Sequence, residues 1–195
     1  MSRPACFLDR DGTLTEERGY AATAADVVLL PGAGAAVRLL NRSGMAAVVI
    51  SNQSGVGRGF FTLEDVAAQH EQLRQLLAAE DARLDGIYFC PHLPEAGCDC
   101  RKPGTALLVQ AARELDLDLG RSWMVGDREE DVATGERGAA GGLLVLTGYG
   151  DDTRRQAPAG RLAPGQVFAD VFAAVTHLLA GLGISSDIMP PVRPH

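Results

Sequence analysis

The chain has 195 residues, 46% hydrophobic and 22% charged, with a formal net charge of −7. That balance belongs to a globular chain and argues against disordered, fibrous and membrane classes; no apolar run nears the ~20 residues of a membrane span. The acidic excess speaks against nucleic-acid partners, which draw on a surplus of Lys and Arg.

Met1-Ser2-Arg3-Pro4-Ala5 runs straight into strand-like sequence and leaves no room for a signal peptide, so a cytoplasmic location is expected. Five short apolar runs read as strands: Ala5–Leu8, Ala46–Ile50, Gly86–Phe89, Ser122–Val125 and Gly142–Leu146. They are continuous rather than alternating, as in strands covered on both faces. Helical patterns separate them. Gly34–Asn41 carries Val37 and Leu40 and stops at Gly44. Thr62-Leu63-Glu64-Asp65 resembles a capping box that opens a helix to about Glu80. Thr105–Leu115 and Val167–Leu182 repeat apolar residues at helical spacing, with Asp151–Gln166 expected as a long loop between elements. Strands alternating with helices predict an α/β fold with a doubly wound parallel sheet. No spacer leaves room for a second folded unit, so residues 1–183 are expected to form a single domain, with 184–195 a flexible tail.

Asp9, Ser51, Cys90 and Asp127 each follow a predicted strand. Ligands of open parallel sheets bind outside the carboxyl ends of the strands, so four chain positions converge on one edge. Asp9-Arg10-Asp11-Gly12 places two carboxylates two residues apart, where strand geometry can point them the same way. Such a pair can divide labour, one as nucleophile and metal ligand, the other handling protons; a solvated acidic loop is the alternative. Ser51-Asn52-Gln53-Ser54-Gly55-Val56-Gly57-Arg58 offers a hydroxyl and bare backbone N–H groups that can cradle phosphate, without the signature of a P-loop. Lys102 is the only lysine among eighteen basic residues, either a compact charge for a phosphoryl group or a surface accident. Asp127 and Asp131 stand four apart: Asp127 could complete a Mg²⁺ site with Asp9, and Asp131 could support it, or both could decorate a helix start. Cys90, His92, Cys98 and Cys100 supply a full tetrahedral set for a structural Zn²⁺ that would pin Arg101 and Lys102 to the active edge. A zinc module for nucleic acid is the competing use of that cluster, and the acidic chain counts against it. Cys6 reads as a small buried hydrophobe.

As a set, Asp9-Arg10-Asp11-Gly12-Thr13, Ser51-Asn52-Gln53, Arg101-Lys102-Pro103 and Gly126-Asp127 with Asp131 resemble the four motifs of the haloacid dehalogenase (HAD) superfamily, in the family's order. The Asn-Gln-Ser-Gly loop and the Cys/His loop resemble its histidinol-phosphatase and heptose-bisphosphatase branch. The match covers about residues 5–148. The resemblance implies a HAD-like, Rossmannoid sheet without a large cap domain and a Mg²⁺-dependent phosphomonoesterase. In it Asp9 would form an aspartyl-phosphate and Asp11 would serve as acid and then base. Mg²⁺ would be held by Asp9, the backbone carbonyl of Asp11, and Asp127, while Ser51 and Lys102 would hold the phosphoryl oxygens.

Without a cap, substrate selection would fall to loop residues: Arg10, Glu17, Arg18, Gly19, Tyr20, Asn52, Gln53, Ser54, Arg58, Arg101 and Arg128. The basic groups Arg58 and Arg128 favour a heptose 1,7-bisphosphate, cleaved at its 7-phosphate, over the alternative, histidinol phosphate. A phosphatase fold kept only for binding sugar phosphates is the non-enzymatic alternative. Ser51 stands where the family more often has threonine, and Arg128 where many heptose enzymes have lysine. The expected partner is a phosphorylated sugar, not nucleic acid or membrane, and a monomer is expected.

Overall fold

A computed structural model describes residues 2–183, so the tail expected at 184–195 lies outside the described residues. Within them one parallel sheet is built from β1 (Ala5–Leu8), β2 (Ala46–Asn52), β3 (Gly86–Cys90), β4 (Trp123–Gly126), β5 (Gly141–Val145) and β6 (Val167–Phe168). Their order is β3-β2-β1-β4-β5-β6. The helices are α1 (Ala33–Ser43), α2 (Ser54–Gly57), α3 (Leu63–Ala78), α4 (Ala106–Leu115), α5 (Glu129–Gly138), α6 (Gly150–Gln156) and α7 (Val171–Gly181). No helix among the described residues is long and apolar enough to cross a membrane.

Side chains of β1 alternate between two cores, as the two-residue strand period requires. Cys6 and Leu8 enter a layer with Val37 and Leu40 of α1, Leu73 and Leu77 of α3, and Val175 and Leu178 of α7. Ala5 and Phe7 face the other way, against Leu107, Leu108 and Ala111 of α4. Both faces of the central strands are covered, which explains their unbroken apolar runs.

The ends of the helices follow local chemistry. Thr62 caps α3 by accepting the Asp65 N–H at 3.2 Å, and Asp65 Oδ2 accepts the Thr62 N–H at 2.8 Å, the reciprocal box expected from these residues. Gly44 ends α1 at φ +77°.

Two expectations are corrected. Residues 151–166 are not one long loop: α6 occupies Gly150–Gln156, stabilised on a polar surface by pairs of Arg154 and Arg155 with Asp151 and Asp152. A helix with charged residues and no apolar stripe leaves no hydrophobic period to detect. Nor does the last helix begin at Val167. Val167 and Phe168 pair with β5 as a short edge strand, and Asp170 caps α7 by accepting the Ala173 N–H at 2.8 Å.

Candidate active site

The strand order reverses direction between β1 and β4, so the loops leaving their carboxyl ends part to opposite sides and open a cleft there. Asp9 leaves β1, Asp127 leaves β4, and Ser51 and Asn52 end β2. Asp9 is only 6% exposed, its backbone N–H bound to the Val125 carbonyl at 2.9 Å. Its Oδ1 accepts from Lys102 Nζ at 2.6 Å. The same ammonium pairs with Asp131 Oδ1 at 2.6 Å and donates to the Ile50 carbonyl at 2.9 Å. Asp131 Oδ2 in turn accepts the Arg128 N–H at the start of α5, at 2.9 Å.

Asp127 is fully buried. Its Oδ2 accepts the Tyr149 N–H at 2.7 Å, while its Oδ1 has no protein partner. Gly12 makes this approach possible: at φ +81° a Cβ there would lie 2.2 Å from Asp127 Oδ2.

Asp9, Asp127 and Asp131 each place an oxygen within 4.8 Å of the others. Three carboxylates facing one ammonium leave negative charge uncompensated in a buried place. Burial first, then the neighbouring Asp131 and Asp11, push Asp9 up to about 7 against the pull of Lys102. Burial, Asp9 and Asp131 push Asp127 up to about 8. Burial alone would depress the Lys102 ammonium, but Asp131 and Asp9 hold it above the usual lysine range. The unpartnered Asp127 Oδ1 and the surplus charge fit a hard divalent cation with oxygen ligands.

Asp11 turns away from this trio. Its carboxylate takes Arg10 Nε at 2.9 and 3.0 Å, Gln53 Nε2 at 3.0 Å and Thr15 Oγ1 at 3.3 Å, beside the cleft opening. Arg10 is buried beneath it and also donates to Gln69 Oε1 at 2.9 Å, so its guanidinium is committed inside the protein. Ser51 Oγ accepts from Gln53 Nε2 at 2.8 Å. Asn52 grips the main chain of Lys102, accepting its N–H at 3.0 Å and donating to its carbonyl at 3.3 Å.

The cleft holds about 260 Å³ and is lined by Asp9, Arg10, Asp11, Glu17, Gly19, Tyr20, Ser51, Asn52, Gln53, Ser54, Arg58, Arg101, Lys102 and Arg128. Arg101 Nη1 is buried there without a partner. Arg18 is the exception among the loop residues selected from sequence for substrate: it pairs with Glu16 on the surface at 2.7 Å and does not line the cleft. The lining also includes Phe61, Pro94, Glu130 and Tyr149, which sequence reasoning did not select. Only the glycines flanking Tyr149 mark its position in the sequence.

The second cluster sits beside the cleft. Cys90, His92, Cys98 and Cys100 bring their ligand atoms within 4.8 Å of one another. Sulfur–sulfur distances are 3.2, 3.4 and 3.6 Å, and His92 Nδ1 lies 3.6 Å from Cys90 Sγ and 3.3 Å from Cys100 Sγ. Those are near the edges of a tetrahedron around zinc, roughly 3.5–3.8 Å from its bond lengths, and far too long for a disulfide. Burial pushes the Cys90 thiol up to about 12. Burial would raise Cys98 too, but hydrogen bonds from Cys100, the Arg101 N–H, Cys90 and His92 bring it down to about 6, toward the thiolate a metal takes. The cluster is compatible with Zn²⁺.

Over 193 aligned residues the chain is 43% identical to the D-glycero-D-manno-heptose-1,7-bisphosphate 7-phosphatase of Thermosynechococcus vestitus, covering 91% of this chain and 98% of that protein. The chain belongs to that phosphatase family. Its likeness to the D-glycero-beta-D-manno-heptose-1,7-bisphosphate 7-phosphatase of Escherichia coli K12 is 41% over 155 residues, 75% of this chain and 81% of the relative. The HAD-hydrolase-like family model matches residues 99–174. Among solved structures, the D,D-heptose 1,7-bisphosphate phosphatase of B. bronchiseptica, complexed with magnesium and phosphate, superposes with a TM-score of 0.83 at 32% identity. That superposition covers 91% of this chain and 99% of the other. The protein is thus an enzyme, a HAD phosphatase, and among the described residues its sheet carries no large cap.

Proposed function

We propose that this enzyme hydrolyses the 7-phosphate of D-glycero-D-manno-heptose 1,7-bisphosphate, the substrate class named for its relatives. The observation that carries this substrate is the rim of arginines: Arg58, Arg101 and Arg128 line the cleft in which Asp9 sits, and Arg101 offers a buried donor with no protein partner. One phosphoryl group is served by Lys102, Ser51 and backbone N–H groups, which leaves arginine forks for a second phosphate. Histidinol phosphate instead brings an ammonium group, which the same rim repels.

In this mechanism Asp9 attacks phosphorus, and the bond from phosphorus to the sugar oxygen breaks as the aspartyl-phosphate forms. Asp11 in its protonated form gives its proton to the departing alkoxide and is left as the carboxylate. It then takes a proton from the water that attacks phosphorus, releasing phosphate and restoring the Asp9 carboxylate. Lys102 and Ser51 hold the phosphoryl oxygens throughout. Asp9, the main-chain carbonyl of Asp11, and Asp127 would hold Mg²⁺, which neutralises charge on the phosphoryl oxygens. Asp11 meets the cleft between Arg10 and Gln53, whose amide also donates to Ser51.

We take residues 1–183 as the catalytic unit and expect it to act as a monomer. Three reduced thiols held together in the Cys/His loop support a reducing compartment such as the cytoplasm. The test is kinetic. With Mg²⁺ present, kcat/KM should be at least tenfold higher for the bisphosphate than for histidinol phosphate, about 1.4 kcal/mol. The reverse ranking would replace this substrate with histidinol phosphate, and no phosphate release from either would leave the sugar-phosphate-binding alternative.

A further inference from the structure

Tyr149 has no part in the mechanism above, yet it touches two of its elements. Its backbone N–H donates to Asp127 Oδ2 at 2.7 Å, and its ring lies beneath Arg128, whose guanidinium carbon is 3.9 Å from the ring centroid. The turn that carries it is tightly specified. Thr147 Oγ1 donates to the Gly12 carbonyl at 2.6 Å. Gly148 has φ +55°, and a Cβ there would lie 2.3 Å from Asp127 Oδ2. A Cβ on Gly150 would lie 1.7 Å from the Val145 carbonyl oxygen. The ring is therefore placed by the same turn that holds Asp127.

Arg128 needs such a placement. Its side chain is 45% exposed, and its ion pair with Glu17 Oε2 spans 3.7 Å. A long side chain left free would surrender rotamer freedom each time it gripped a ligand. Stacked on Tyr149 and faced by Glu17, the planar fork is instead held at the cleft wall before substrate arrives. A compact lysine ammonium at this position has no plane to stack, so the arginine and the tyrosine work as a pair.

We propose that Tyr149 is a positioning residue for substrate selection, holding the Arg128 guanidinium ready for the phosphate that is not cleaved. This deepens the bisphosphate reading and rests on it. The test is a four-way comparison of the wild type, Tyr149→Leu, Arg128→Ala and the double variant, with Tyr149→Phe as the conservative control.

Tyr149→Leu keeps the backbone N–H to Asp127 but loses the aromatic face. It should raise KM for the bisphosphate about three- to tenfold, the size of one partly exposed cation–π contact, with less than about a twofold change in kcat. Tyr149→Phe should restore KM. Tyr149→Leu should add nothing once Arg128 is alanine, and should not change KM for p-nitrophenyl phosphate, which has no second phosphate.

An equal rise in KM with and without Arg128 would overturn the proposal, as would an Arg128→Ala variant with wild-type KM. So would a fall in kcat shared by both substrates, which would mean that Tyr149 acts through Asp127. The bisphosphate reading is judged separately, on the wild type's ranking of bisphosphate against histidinol phosphate, so the two failures are distinguishable.

Discussion

The carboxylate cluster and the Cys/His cluster lie at the two ends of one short stretch, Cys98 to Lys102, and they are built in opposite ways. Cys90, His92, Cys98 and Cys100 come from eleven consecutive residues. Asp9, Lys102 and Asp127 come from the loops after three separate strands and Asp131 from the first turn of α5, and they meet only because the parallel sheet brings those strand ends together. The first is a compact Cys/His set compatible with Zn²⁺, an ion that would hold its loop in shape. The second is held by buried backbone on both sides, so its geometry stands without an ion, at the cost of packed like charges. One cluster would use an ion as structure. The other has structure that leaves a place for an ion.

The largest expected effect tests the second half of that contrast. Asp9→Asn removes the proposed nucleophile, and turnover should fall at least about 10⁴-fold. The fold should survive, because one of three mutually repelling carboxylates is gone and Lys102 keeps Asp131. Phosphate release together with calorimetry checks both halves. Ready turnover in a variant shown by mass spectrometry to be free of deamidation would remove Asp9 from its role.

Cys98→Ala tests the first half. Bound zinc, measured by atomic absorption, should drop from one equivalent per chain to none. Arg101 and Lys102 follow directly on Cys100, so displacing the loop should lower turnover about 10²-fold, the scale of a small misplacement of catalytic groups. The far-UV circular dichroism of the sheet and helices should persist. Full activity in a zinc-free protein would sever the loop from the active edge.

The same contrast explains what could be read from the chain. A contiguous Cys₃His set is legible because its ligands are neighbours in sequence. The strand-end acids were also legible, since each follows an apolar run whose length and continuity mark a buried strand. What was not legible depends on packing between distant parts. Nothing in the sequence says that Arg10 is buried between Asp11 and Gln69, or that Arg18 pairs with Glu16 outside the cleft. Tyr149 sits where glycines and charges hide a short polar helix, so its ring beneath Arg128 had no periodic signal. The edge strand Val167–Phe168 was absorbed into the apolar period of the helix that follows it.

A smaller effect distinguishes the clusters by pH. Asp9 and Asp127, raised to about 7 and about 8 from a usual value of 3.8, favour the folded state only while protonated. Their stabilisation is complete below 3.8 and is lost as pH rises through 7 to 8 in the metal-free protein. A divalent cation offsets that repulsion. Millimolar Mg²⁺ should therefore raise the melting temperature more at about pH 8 than at about pH 5. A gain that is equal at both pH values would mean that the cation binds elsewhere.

The smallest effect belongs to His70, on α3 and packed against Phe89. Its ring stands edge-on to Phe89, the neighbour of Cys90, at 5.3 Å between centroids, and it follows Gln69, the partner of Arg10. Its Nε2 is buried with no partner. Burial first, and the nearby Arg10 charge, depress it to about 4 from the usual 6.5. The folded protein thus keeps the ring neutral where the unfolded chain would protonate it. The resulting stability is present above 6.5 and is lost as pH falls toward 4, opposite in direction to the carboxylates. At pH 5 the loss approaches about 2 kcal/mol, or roughly 4–8 °C in melting temperature for a chain of this size. With Mg²⁺ and Zn²⁺ supplied throughout, acidifying from pH 7 to pH 5 should lower the melting temperature less in His70→Phe, by roughly that amount. The variant keeps an aromatic edge against Phe89 and lacks only the titrating group. If its acid-side loss matches the wild type, the destabilising proton enters at another group.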